Sequence, residues 1–100
     1  MDKREIIWFS RARLELLETL EYYFKRNGTM TYSKKLNSTL RNKIRLLANQ
    51  AEIGAHTDIL NIRNLKVDNF SIFYEIKPEI IEVLTIWDNR QNPENLHIKG

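Results

Sequence analysis

The chain has 100 residues, 16 Lys or Arg against 13 Asp or Glu, a net charge of +3 and no cysteine. That length holds one domain (1–100) around one modest core, and the charge permits an acidic partner without requiring one. The missing cysteine excludes disulfides and thiolate metal sites. No apolar run reaches the length of a membrane span, and the start Met-Asp-Lys-Arg-Glu lacks the apolar core of a signal peptide; a cytoplasmic protein with no membrane partner is expected.

Ile6, Ile7, Trp8 and Phe9 are strand formers with no breaker among them, which predicts a strand over Glu5–Phe9. Ser10 is placed to cap the helix that follows. In that helix Leu16, Leu17, Leu20, Tyr23 and Phe24 make one apolar stripe, with Ala12 one turn earlier. The opposite face carries Arg11, Glu15, Glu18, Tyr22 and Lys25. Asn27-Gly28 ends the helix, because glycine accepts the left-handed conformation of a C-terminal cap.

A second helix is predicted over Thr31–Asn49, capped by Thr31 or Ser33. Tyr32, Leu36, Leu40, Ile44 and Leu47 recur at helical spacing. The short link makes the two helices an antiparallel hairpin. This helix carries Lys34, Lys35, Arg41, Lys43 and Arg45 and no acid. Lys34, Arg41 and Arg45 share one face, which is either a phosphate- or acid-binding stripe or an ordinary solvated face.

Gln50 to Asp58 reads as a loop. Three antiparallel strands follow: Ile59–Val67, Phe70–Ile76, and the first half of Ile80–Leu96. Asp68-Asn69 supplies the first turn, since both residues tolerate positive φ, and Lys77-Pro78-Glu79 the second. In the last strand Ile80, Leu84 and Ile86 alternate with Ile81, Val83 and Trp87. Both faces are then apolar, which places this strand inside the sheet. The fold class is therefore α+β: an N-terminal strand, a helical hairpin and a three-stranded meander, with both helices on one face of the sheet. Leu16, Leu20, Leu36, Leu40, Ile72, Leu84 and Ile86 are expected to be buried together.

Three features give this sequence a resemblance to a known family. The strand-helix-helix-meander order covers nearly the whole chain. The opening Ile-Trp-Phe-Ser-Arg-Ala-Arg-Leu-Glu-Leu runs a strand into a helix through Ser and Arg. The ending Val83-Leu84-Thr85-Ile86-Trp87-Asp88-Asn89-Arg90-Gln91-Asn92-Pro93 resembles a strand followed by Arg and then Asn-Pro. Together they resemble the RelE/ParE superfamily of toxins from bacterial type II toxin–antitoxin systems, and the ending resembles the ParE-like members. The resemblance implies a growth-arresting cytoplasmic protein neutralised by a cognate antitoxin. It also implies one of two targets: DNA gyrase for a ParE-like member, or the ribosome and its mRNA for a RelE-like ribonuclease.

RNA cleavage through the 2′-OH needs a base, an acid and cations around the phosphorane. The candidates are Arg63, Lys66 and Arg90, with Tyr74, His56 and His97 as further titrating groups. Many family members place an Arg where this chain has Ser71, which removes one phosphate-stabilising charge. The parity of Tyr74 with Phe70, Ile72 and Ile76 makes it a core residue. Lys34, Arg41, Arg45 and Arg90 are the candidates for contact with antitoxin or target. No pair has metal-ligand spacing and no glycine-rich phosphate loop occurs, so no metal, cofactor or small-molecule ligand is expected.

Overall fold

The computed structural model describes residues 3–96 and residue 98. β1 (Glu5–Trp8) leads into α1 (Ser10–Asn27) and α2 (Thr31–Leu46). Then come β2 (Ala55–His56), β3 (Ile62–Val67), β4 (Phe70–Ile76) and β5 (Ile80–Asp88), and a 3-10 turn at Pro93–Asn95. The sheet order is β1-β5-β4-β3-β2. β1 pairs in parallel with β5, while β5-β4, β4-β3 and β3-β2 are antiparallel. β5 therefore lies inside the sheet, as its two apolar faces require. Among the described residues no helix is long and apolar enough to cross a membrane.

Both helices pack on one face. Ala12, Leu16 and Tyr23 of α1 and Leu36, Leu40 and Ile44 of α2 are buried against Val67, Phe70, Ile72, Val83 and Ile86. A second cluster joins Leu47, Ala51, Tyr74 and Ile81 below the end of α2. Ser33 does not cap α2; its Oγ donates to Leu20 O at 2.8 Å and ties the two helices together.

Several boundaries differ from the sequence expectation. Phe9, not Ser10, is the N-cap of α1, and Met30 that of α2, neither with a side-chain cap bond. The apolar stripe of α1 is narrower than predicted: Leu17 is 60% and Phe24 42% exposed, while Leu20 is half-buried at the edge of the core. Glu15, assigned to the outer face, turns inward instead. α2 ends at Leu46 rather than Asn49. β3 begins at Ile62, because Asn61 takes a positive φ of 67° and breaks the extended run. The loop before it contains the two-residue edge strand β2. Gly28 does close α1, with φ 72° and its N–H on Phe24 O. Of the turn residues, Asp68 takes the positive φ, at 54°.

The alternation within β5 is broken by a bulge. Phe73 pairs with Thr85 and its neighbour Tyr74 with Val83, so Leu84 is an extra residue. Val83 and Ile86 thereby both join the helix-side cluster. Leu84 is fully buried, but it does not share that cluster with Ile72 and Ile86.

Candidate functional site

β5 outruns its parallel neighbour. The last backbone bond from the β1 side is Phe9 N–H to Val83 O, at 2.9 Å. Beyond it, α1 takes over the edge through Glu15. The Glu15 carboxylate accepts from Thr85 Oγ1 at 2.7 and 2.9 Å and from Ile86 N–H at 3.0 Å. This pins the end of β5 to the second turn of α1. A groove of about 600 Å³ lies between the two, lined by Glu15, Glu18, Tyr22, Tyr23, Trp87 and Arg90 among others.

Arg90 forms one wall of the groove. Its Nε donates to Asp88 Oδ1 at 3.0 Å and its Nη2 to Asp88 Oδ2 at 2.8 Å, a two-point grip. Its guanidinium carbon lies 5.5 Å from the centre of the Tyr23 ring, within range of a cation–π contact. Tyr23 in turn meets Tyr22 and Tyr32 edge-on, at 5.0 and 4.9 Å between ring centres. Arg90 is thus held in place while half of its side chain, 52%, remains exposed.

The other predicted residues do not gather around Arg90. Arg63 pairs with Tyr74 and Lys66 with Ser71 across the β3–β4 register. Cross-strand partners share a face, so Arg63 lies on the helix side and Lys66 on the far side. Arg63 is only 15% exposed, and its Nη1 donates to Glu52 O and Gly54 O at 3.0 and 2.9 Å. It clasps the loop before β2, and in β2 itself His56 Nε2 stands 3.4 Å from its Nη2. Lys66 is exposed. Ser71 is buried and donates to Asn89 Oδ1 at 2.9 Å. Tyr74 is fully buried, as its parity requires. His97 lies outside the described residues.

Lys34, Arg41 and Arg45 are all exposed on α2. Arg41 donates to Asn37 Oδ1 at 2.8 Å and lies 5.4 Å from the Trp8 ring centre. Arg45 donates to Asn42 Oδ1. Sequence reasoning missed Glu15 and Tyr23 as parts of the groove. No signal marked Glu15, whose role depends on a β5 edge that β1 is too short to cover. Among the described residues no group of three or more His, Asp or Glu is placed to hold a metal ion.

A family model described as the ParE toxin of the type II toxin–antitoxin system parDE matches residues 6–93. The chain belongs to the ParE toxin family. Among solved structures it is similar to a chain of the chromosomal ParDE toxin–antitoxin system from P. aeruginosa, with a TM-score of 0.73 at 20% identity. That match covers 84% of this chain and 94% of the other, and it carries the ParE fold. Comparison with curated proteins returns no match. The family match runs from β1 through the groove to Pro93. It therefore includes both Glu15 and Arg90.

Proposed function

We propose that this ParE-family toxin arrests growth in the cytoplasm by docking on DNA gyrase, without chemistry of its own, and that a cognate antitoxin neutralises it by binding. The observation that carries the reading is the dispersal of the candidate nuclease residues. Arg63 and Lys66 lie on opposite faces of the sheet, and Arg63 is committed to two loop carbonyls. A phosphorane needs its cations on one side, within hydrogen-bond reach of one another's target. Ser71, which the resemblance aligns with an Arg of many family members, is buried and bonded to Asn89. What the fold does offer is a preorganised groove with Arg90 and exposed Tyr22 on its wall, which suits protein recognition. Lys34, Arg41 and Arg45 supply a cationic face for an acidic antitoxin segment.

The test is induced expression with and without the neighbouring gene product. A DNA-damage response with filamentation, suppressed by the neighbour, is the expected outcome. Rapid loss of protein synthesis with cut mRNA would instead establish the ribonuclease alternative.

A further inference from the structure

We propose that the basic row of α2, formed by Lys34, Arg41 and Arg45, binds the phosphate backbone of duplex DNA. The choice of duplex DNA among polyanions rests on the proposal that the chain docks on a target which itself works on DNA. Five of the chain's 16 cations lie on α2 and none of its 13 acids, so the remaining residues carry 11 cations against 13 acids. The positive balance of the whole chain therefore sits on one helix. An ordinary solvated helix mixes its signs, as α1 does with Arg11, Arg13, Lys25 and Arg26 beside Glu15, Glu18 and Glu21. The ion pairs among the described residues join Lys25, Arg63, Lys77 and Arg90 to carboxylates and include no cation of α2. Lys34 and Lys35 also stand at the start of α2, whose first turn holds no acid. The helix macrodipole disfavours cations there, and no ion pair among the described residues offsets it.

The two arginines of the row are held without being neutralised. Arg41 Nε donates to Asn37 Oδ1 at 2.8 Å, and Arg45 Nη1 donates to Asn42 Oδ1. Both acceptors are uncharged, so each fork is oriented while its full charge remains. Arg41 is steadied further by the Trp8 ring, 5.4 Å from its guanidinium carbon. From Lys34 to Arg45 the row runs about 16 Å along a straight helix. That is the length of roughly five base pairs of duplex. Asn37, Ser38 and Asn42 lie beside the cations and offer uncharged hydrogen-bonding groups, which suit phosphate oxygens. The row carries no aromatic side chain on which an unpaired base would stack, and Trp8 is half-buried under Arg41. The arrangement thus fits a paired backbone better than a single strand. An acidic antitoxin segment on the same face would compete with the duplex.

The experiment is fluorescence anisotropy of a short labelled duplex titrated with the full chain over a range of salt. Three phosphate contacts give a slope of about −2.7 for log K against log salt, an affinity loss of about fortyfold between roughly 50 and 200 mM. Arg41→Gln should bring that slope about one unit closer to zero. Lys34→Gln, which breaks no ion pair, should do the same and guards against a folding defect in the first variant. Lys43→Gln removes an α2 cation two residues from both arginines, on another side of the helix, and should leave the slope unchanged. An equal change in slope with Lys43→Gln would reduce the effect to diffuse attraction and overturn the row. So would tighter binding of a single strand, or binding of polyglutamate without binding of duplex, which would make the face a protein contact. Retention of the chain on purified gyrase without DNA tests the docking proposal separately. Its absence would overturn that proposal, whereas retention on gyrase with no affinity for duplex would overturn only the row.

Discussion

Glu15 holds Thr85 across 70 residues of sequence: the Thr85 hydroxyl donates to both carboxylate oxygens, at 2.7 and 2.9 Å. The same carboxylate accepts Ile86 N–H at 3.0 Å. One side chain thus completes a sheet edge that β1 leaves open after Val83, and it lines the groove together with Arg90.

Glu15→Ala should destabilise the fold by about 1–3 kcal/mol, since it leaves a backbone donor and a buried hydroxyl without their charged acceptor. Glu15→Gln keeps one acceptor oxygen and should lose less. Urea unfolding measures both. Equal midpoints for wild type and Glu15→Ala would show that water replaces the carboxylate without loss.

Tyr74 joins β4 to the loop after α2. Its hydroxyl donates to Ala51 O at 2.6 Å and accepts from Gly54 N–H at 3.0 Å. Burial pushes the phenol above its ordinary pKa, more than the Gly54 N–H and the Arg63 charge pull it down. In the unfolded chain Tyr74 ionises near its usual value of about 10. Above that pH the unfolded state binds fewer protons than the folded one, so stability falls as pH rises. Tyr74 is neutral in both states at lower pH, and its share of the slope vanishes there. Tyr74→Phe should cost about 1–3 kcal/mol at neutral pH by stranding two backbone groups. It should also flatten the stability loss above pH 10. An unchanged alkaline slope in the variant would remove Tyr74 as its source.

Gly54 lies against the same ring. An added Cβ would stand 2.7 Å from Tyr74 Oη and 2.9 Å from Cε1. The ring is fully buried and bonded, so it cannot swing aside cheaply. Gly54→Ala should cost roughly 1–3 kcal/mol through overpacking. Thermal unfolding of the variant checks it, and an unchanged melting temperature would mean that the loop shifts freely.

The order of elements was legible because each long element carries its own period. The α2 stripe at Leu36, Leu40 and Ile44 and the β4 face at Phe70, Ile72 and Tyr74 are both buried as their spacing predicts. Leu17 and Phe24 were misread because spacing alone does not say how wide a stripe the neighbouring sheet can cover. The bulge at Leu84 left no trace in β5, where every residue from Val83 to Trp87 except Thr85 is apolar. With both faces apolar, a slip in alternation changes no residue type. Arg63 and Lys66 read as neighbours in sequence, yet the period of two puts residues three apart on opposite faces. That same period was available from the sequence and argues against pairing them in one site.

Leu84 tests whether the bulged residue still bears load. It is fully buried although it stands outside the helix-side cluster. Leu84→Ala should cost about 2–5 kcal/mol if the space it leaves cannot collapse. A denaturation midpoint within error of wild type would show that the bulge closes around the smaller side chain.

Arg90 is the residue on which the groove's proposed role turns. Asp88 engages Nε and Nη2, and the Tyr23 ring lies under the guanidinium. This leaves part of the planar fork facing solvent in a fixed orientation, the arrangement that suits a carboxylate or phosphate on a target. The Asp88–Arg90 pair is half exposed on the Arg side, so its own share of stability is at most about 1 kcal/mol. Arg90→Ala should therefore abolish growth arrest while moving the melting temperature little. Arg90→Lys keeps the charge but loses the two-point grip and the flat stacking surface, and should recover only a small part of the toxicity. Asp88→Asn should fall between, because it loosens the fork without removing it. Growth curves after induction, read beside thermal unfolding of each purified variant, separate these outcomes. Full toxicity of both Arg90 variants would take the residue out of the target contact. Lost toxicity together with a large fall in melting temperature would make Arg90 a structural clamp for the end of β5.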